Sequence, residues 1–242
     1  MKESTAQMTN PSETTVGKIV AEDFRTAAVF EKHGIDFCCG GRTSLADICL
    51  EKGLDLAMLQ QELTEIKDTP VNRSHNYSAW ALPFLADYIV NTHHTYLNEN
   101  IAQIEAYTNK IAGVHGAHHP EVIRIAEIFS RIATDMAAHL REEEDILFPA
   151  IKRIDAARKA GNTPNMEDEE TIRAALVKLD QEHQEIGDAV HAINHLANGY
   201  VIPDDACNTF AVTYHKLQEF EDDLHKHVHL ENNILFPKAA RL

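Results

Sequence analysis

The sequence predicts an all-α protein: a small helical domain followed by an antiparallel four-helix bundle. Three observations predict it. Apolar residues recur every three or four positions through four long stretches between residues 77 and 242, the period of a helix with one buried face. No stretch alternates apolar and polar residues as a half-buried strand does. An eleven-residue segment recurs 88 residues further along, as a duplicated helical hairpin would leave it.

The elements follow in order. Residues 1–14 are polar and read as a disordered tail. From 15 to 66 the signals are of short helices. Thr15 is a candidate N-cap, and a helical pattern through Phe24, Ala28 and Phe30 stops at His33-Gly34, where glycine takes the left-handed C-cap. Thr43 or Ser44 caps a helix carrying Leu45, Ile48 and Cys49, Gly53 ends it, and Asp55 opens another with Leu56, Leu59 and Leu63. Residues 67–76 are polar with Pro70 and read as a linker. The bundle helices are expected at about 77–112, 120–159, 167–197 and 204–240, with short connections holding Gly113, Gly116, Gly161, Pro164, Gly199 and Pro203.

Composition narrows the function. The formal charge of −16 disfavours a nucleic-acid partner, because phosphates would be repelled, and equally an anionic membrane surface. Apolar runs are far shorter than the roughly 20 residues that cross a bilayer, and the N-terminus has no apolar leader core. A cytoplasmic protein is expected. Four cysteines in 242 residues make no disulfide framework. Histidine is the conspicuous residue, with 15 copies.

Several of those histidines sit in the repeat. His139-Leu-Arg-Glu-Glu143-Glu-Asp-Ile-Leu-Phe-Pro149 recurs as His227-Val-His-Leu-Glu231-Asn-Asn-Ile-Leu-Phe-Pro237. His and Glu at i and i+4 lie on one helix face. They share apolar stripes, His139 and Glu143 with Ile132, Met136 and Leu147, and His227 and Glu231 with Leu224 and Leu235. Polar groups on such a stripe cost free energy unless something pairs them, and metal ions would. His183 is the polar member of the stripe Ile172, Leu179, Ile186, Val190. On the first helix, His93 shares the stripe Leu82, Ile89, Leu97, Ile104, while His94 falls about 100° off it. The expected ligands are therefore His93, His139, Glu143, His183, His227 and Glu231, with His94 the alternative to His93. A mixed nitrogen and oxygen set with open positions suits iron better than structural zinc, and manganese stays open.

With these residues in view, the chain resembles the hemerythrin-like di-iron proteins. More narrowly it resembles the family for repair of iron centres, in which a short domain with vicinal cysteines precedes such a bundle. The first hallmark here is Asp36-Phe37-Cys38-Cys39-Gly40-Gly41, and the bundle hallmarks are the two His-x-x-x-Glu motifs with His93 and His183. The resemblance spans about residues 15–242. It implies two non-haem iron ions, oxo-bridged when oxidised, in a cytoplasmic protein that restores iron–sulfur clusters damaged by nitric oxide or oxidative stress, by donating iron. Damaged iron–sulfur proteins are then the partners, with nitric oxide or dioxygen as small ligands. A second copy of the chain stays open as a partner. Two other activities stay open: nitric oxide reduction at the di-iron site, and hemerythrin-like binding or sensing of oxygen or nitric oxide.

Cys38 and Cys39 are the candidate catalytic residues. They precede a helix start, and the positive end of a helix favours a thiolate. Gly40 and Gly41 permit close backbone approach. Cys49 and Cys207 read as packing residues, and His115, His118 and His119 as solvent-facing.

Overall fold

The computed structural model describes residues 13–67 and 76–242. The linker expected at 67–76 and all but the end of the expected tail lie outside these residues. Among the described residues there is no strand, only one isolated bridge between Thr15 and Ser44. The chain divides into two compact units. One is residues 1–80 with His229–Ile234; the other is Ala81–Val228 with Leu235–Leu242.

The first unit holds α1 (Val16–Glu22), a 3-10 turn at Phe24–Thr26, α2 (Ala27–Lys32), α3 (Leu45–Lys52) and α4 (Leu56–Lys67). Its caps follow the sequence. Thr15 Oγ1 accepts from the Lys18 amide. Ser44 is the residue that caps α3, accepting from the Asp47 amide, and Asp55 accepts from Ala57 and Met58. Gly34 and Gly53 take positive φ of 61° and 66° at the ends of α2 and α3, and the Ile35 amide reaches back to the Phe30 carbonyl at 2.8 Å. Val16, Val20, Phe30, Phe37, Leu45 and Leu59 form the small core. Thr14, expected in the tail, is tied in: its carbonyl accepts from the Leu45 amide.

The second unit contains most of four long helical runs. The first is α5 (Leu82–Ile89), a π-helical turn at Val90–His94 and α6 (Thr95–His115). The second is α7 (Pro120–Glu142), a π turn at Glu143–Leu147 and α8 (Phe148–Lys159). The third is α9 (Met166–Leu196), uninterrupted. The fourth is α10 (Asn208–Leu230), a π turn at Glu231–Leu235 and α11 (Phe236–Ala239). The first run starts at Leu82 rather than Tyr77, since Tyr77–Ala79 is a 3-10 turn and Pro83 opens the helix proper. The fourth starts at Asn208 rather than Asp204. Leu85, Ile89, Leu97, Ile104, Phe129, Leu179, Phe210 and Phe220 fill the bundle core and are fully buried, each contributing about 1.5–3 kcal/mol.

The π turns have a local cause in two of three cases. Proline cannot donate to the i−4 carbonyl, and its ring collides with that carbonyl in an α-helix. Pro149 and Pro237 each follow a π turn by two residues. The wider turn moves the carbonyl aside, and the Phe148 amide bonds to Glu143 five residues back. The third turn is closed by the Thr95 amide and hydroxyl, both on the Val90 carbonyl.

Candidate metal centre

Each π turn carries a polar side chain into the bundle core. Glu143 and Glu231 begin the second and third of these turns, and His94 ends the first. One extra residue per turn changes the helical phase. His94 is five residues beyond Ile89, and across a π turn that is one full revolution. The structure therefore brings His94, not His93, to the centre, which corrects the α-helical stripe. His93 is also buried, but it donates or accepts at Nδ1 with Asp223 at 2.9 Å and stacks on His227 at 5.8 Å.

Two donor sets result. His94, Glu143, His227 and Glu231 form one; His139, Glu143, His183 and Glu231 form the other, with the ligating atoms of each within 4.8 Å of one another. Both sets contain both carboxylates. Each takes one histidine from each half of the repeat. Glu231 follows His227 by one turn of the same helix, as Glu143 follows His139.

The geometry fits cations. Both glutamates are 0 % exposed. The Glu143 carboxylate accepts no hydrogen bond among the described residues, and its Oε2 faces His94 Nε2 at 3.3 Å and His139 Nε2 at 3.4 Å. His139 Nε2 and His183 Nε2 point at each other from 3.1 Å. Two imidazole lone pairs so placed repel unless a proton or a cation lies between them. Burying one carboxylate costs several kcal/mol, and two around the same point cost more. Divalent ions remove both penalties.

Carboxylates behind the rings aim them. Glu144 Oε1 lies 2.8 Å from His94 Nδ1, and Glu182 Oε2 lies 2.9 Å from His139 Nδ1. Such partners fix the tautomer with Nε2 free to ligate and raise its basicity. The His139 ring holds the Glu182 carboxyl below its ordinary range, with Lys178 adding to the effect. The repeat's phenylalanines pack on the remaining rings: Phe148 stacks on His94 at 5.8 Å and Phe236 on His183 at 5.6 Å. A cleft of about 350 Å³ between α7 and α9 ends at His139 and Glu182, with Ile128, Ile132, Asp135 and Ile186 among its walls.

The comparisons agree with a cation-binding bundle. Residues 85–239 match the hemerythrin HHE cation binding domain, and residues 12–67 match ScdA_N, a domain of unknown function. The iron–sulfur cluster repair protein ScdA of Staphylococcus epidermidis is 31% identical over 229 residues, covering 94% of this chain and 98% of that protein. The chain belongs to the iron–sulfur cluster repair family. The repair protein YtfE of Cronobacter sakazakii is 31% identical over 225 residues, covering 93% of this chain and 95% of that one. The same protein of Escherichia coli O81 is 30% identical over the same length. Metal binding is thus a property of the family's bundle, and no helix among the described residues is long and apolar enough to cross a membrane.

The cysteine loop differs from expectation. Asp36 organises it, Oδ1 accepting from the amides of Cys38 (2.8 Å) and Cys39 (3.0 Å) and Oδ2 from Gly40 (3.0 Å). The two sulfurs are 4.0 Å apart. Cys38 is buried, and its thiol is pushed well above its ordinary range by Cys39, by burial and by Asp36. The helix-end reading predicted the opposite sign for Cys38; the hydrogen bond with Cys39 and burial, with a smaller push from the Asp36 carboxylate, outweigh the helix end. The glycines serve the chain's own packing. A Cβ at Gly41 would lie 2.5 Å from the Phe37 carbonyl oxygen, and one at Gly40 2.8 Å from that of Asp36.

Cys49 is buried as expected, whereas Cys207 is exposed and lies 3.1 Å from His115 Nε2. His119 is half-buried and bridges Glu121 and Asp205. Sequence reasoning missed Glu144, Glu182 and Asp223 behind the rings. The repeat held a signal for His94: it precedes His183 by 89 residues and His93 by 90, against 88 between His139 and His227.

Proposed function

We propose that this chain repairs damaged iron–sulfur clusters by holding two iron ions between Glu143 and Glu231 and giving up iron to the cluster protein. The observation that carries the reading is the sharing of both carboxylates by two histidine pairs. Such a set has room for two ions and leaves each with positions for other ligands. The relatives' names, iron–sulfur cluster repair proteins, support the repair part of this reading. Iron in this environment can cycle between ferrous and ferric states.

The side chains divide the work. Glu143 and Glu231, common to both donor sets, would hold the ions and neutralise their charge. His94, His139, His183 and His227 are neutral donors whose hold weakens as they protonate. Glu144 and Glu182 keep two of these rings in the ligating tautomer. Cys38 and Cys39 sit in the N-terminal unit, which we assign to docking on the client, in a cytoplasmic response to nitric oxide and oxidative damage.

The test is restoration of a damaged iron–sulfur dehydratase by the iron-loaded protein. Repair is expected from the unsubstituted chain and not from an iron-free Glu143→Leu, Glu231→Leu variant. Equal repair by both sinks the proposal.

A further inference from the structure

A second cluster of donors lies away from the centre described above. His191 on α9 and Glu221 and His225 on α10 bring two imidazole nitrogens and a carboxylate oxygen within 4.8 Å of one another. The His225 Nε2 to Glu221 Oε1 distance is 3.9 Å, and the rings of His191 and His225 are 5.8 Å apart and tilted by 54°. From these distances, a point exists within about 2.8 Å of all three atoms, at most about 0.7 Å beyond a metal–ligand bond of about 2.1 Å. Small rotamer changes close that gap.

We propose that His191, Glu221 and His225 form a mononuclear site for a first-row divalent cation. Three features favour a ligand site over an ordinary charged surface. Glu221 is buried while His191 faces solvent, so the carboxylate anchors the site and the outer side stays open for water. Glu221 and His225 are an i, i+4 pair on one helix face, as in the main centre but with Glu before His, completed by a histidine from the facing helix. The carboxylate is oriented from behind: Asn194 Nδ2 donates to Oε2 at 2.8 Å, and the Tyr200 phenol also hydrogen-bonds Glu221. The oxygen nearest His225 is the other one, Oε1. Two histidines and one carboxylate with open positions suit ferrous iron and its neighbours.

The site is separate from the first. His225 is only two residues from His227 but about 200° round the helix, Glu221 precedes His227 by six residues, about 9 Å along the helix, and His191 follows His183 by eight, about 12 Å. The inference is independent of what the main centre does.

Cobalt(II) titration of the full-length protein near neutral pH tests it, following ligand-field absorption and bound metal. A His191→Ala, His225→Ala variant is expected to bind one equivalent fewer than the unsubstituted chain. His191→Ala alone, an exposed change that keeps the fold, is expected to weaken that equivalent by more than about tenfold. A Glu143→Leu, Glu231→Leu chain is expected to retain it, so loss of metal from the main centre reads out separately. Equal stoichiometry and affinity in the unsubstituted, single and double histidine variants overturns the proposal.

Discussion

His93 and His94 are adjacent, equally buried, and differ by one residue's rotation, yet only His94 belongs to a donor set. His94→Ala is therefore expected to lose about half of the bound metal. His93→Ala is expected to keep it, because that ring contacts Asp223 rather than the glutamates. Metal analysis of the two purified variants decides between them, and equal loss would contradict the assignment. Glu182→Gln tests the support behind a ligand. The amide can still accept from His139 Nδ1, but it removes the negative charge that raises the ring's basicity. Metal affinity measured by chelator competition should fall by about 10–100-fold, the range typical of such outer partners. An unchanged affinity would mean that the ring is held by packing alone.

At the level of the helix, an α-helical period of 3.6 residues selects His93, whereas the structure groups His94 with the carboxylates. The repeat pointed to His139, Glu143, His227 and Glu231, because each histidine lies in the last turn of α7 or α10 and its glutamate, four residues on, opens the π turn that follows. The stripe on the third helix made His183 readable, since α9 runs without interruption from Met166 to Leu196. The π turn at Val90–His94 lies between the apolar positions used to set the phase of the first helix, so the phase slipped there. The cysteine loop failed differently: a helix terminus is visible in sequence, but the burial of Cys38 and its sulfur contact with Cys39, which raise the thiol, are set by the fold. Pro149→Ala probes the π geometry. With the ring removed, an α-helical turn becomes permissible at Glu143–Leu147, and the carboxylate should rotate out of register. Metal affinity is expected to fall several-fold with helix content retained by circular dichroism. If affinity holds, packing rather than proline imposes the turn.

On the scale of the whole molecule, metal and pH both act on stability. Ions that bind only the folded state, at 100 times their dissociation constant, add about 2.7 kcal/mol. For a domain of this size that raises the bundle's unfolding midpoint by about 5–10 °C. Calorimetry before and after chelation should show that drop, and none is expected in the Glu143→Leu, Glu231→Leu chain. Protons act at a second place in the bundle. Arg153 holds Asp168 through its Nε at 3.0 Å and depresses the carboxyl below its ordinary value of 3.8. A depressed folded value means the contribution is present above pH 3.8 and is lost as pH falls through the folded value. Arg153 is half exposed, so the pair is worth less than about 1 kcal/mol. In metal-free protein, Asp168→Asn should therefore be slightly destabilising at neutral pH, and the difference should vanish in acid. Urea midpoints at the two pH values measure it.

The π turns at Glu143–Leu147 and Glu231–Leu235 also set where the backbone can breathe. A five-residue hydrogen-bonded ring is wider and less regular than an α turn, so these amides are among the easiest in the bundle to open. The ligands sit on the same residues, and a bound ion ties each turn to another helix. Amide exchange should then be fast at these turns in the apo protein and slow in the holo protein, with α9 barely affected. On the iron-donating reading proposed above, metal release would then begin as a local loosening of single turns, while the rest of the bundle keeps its shape.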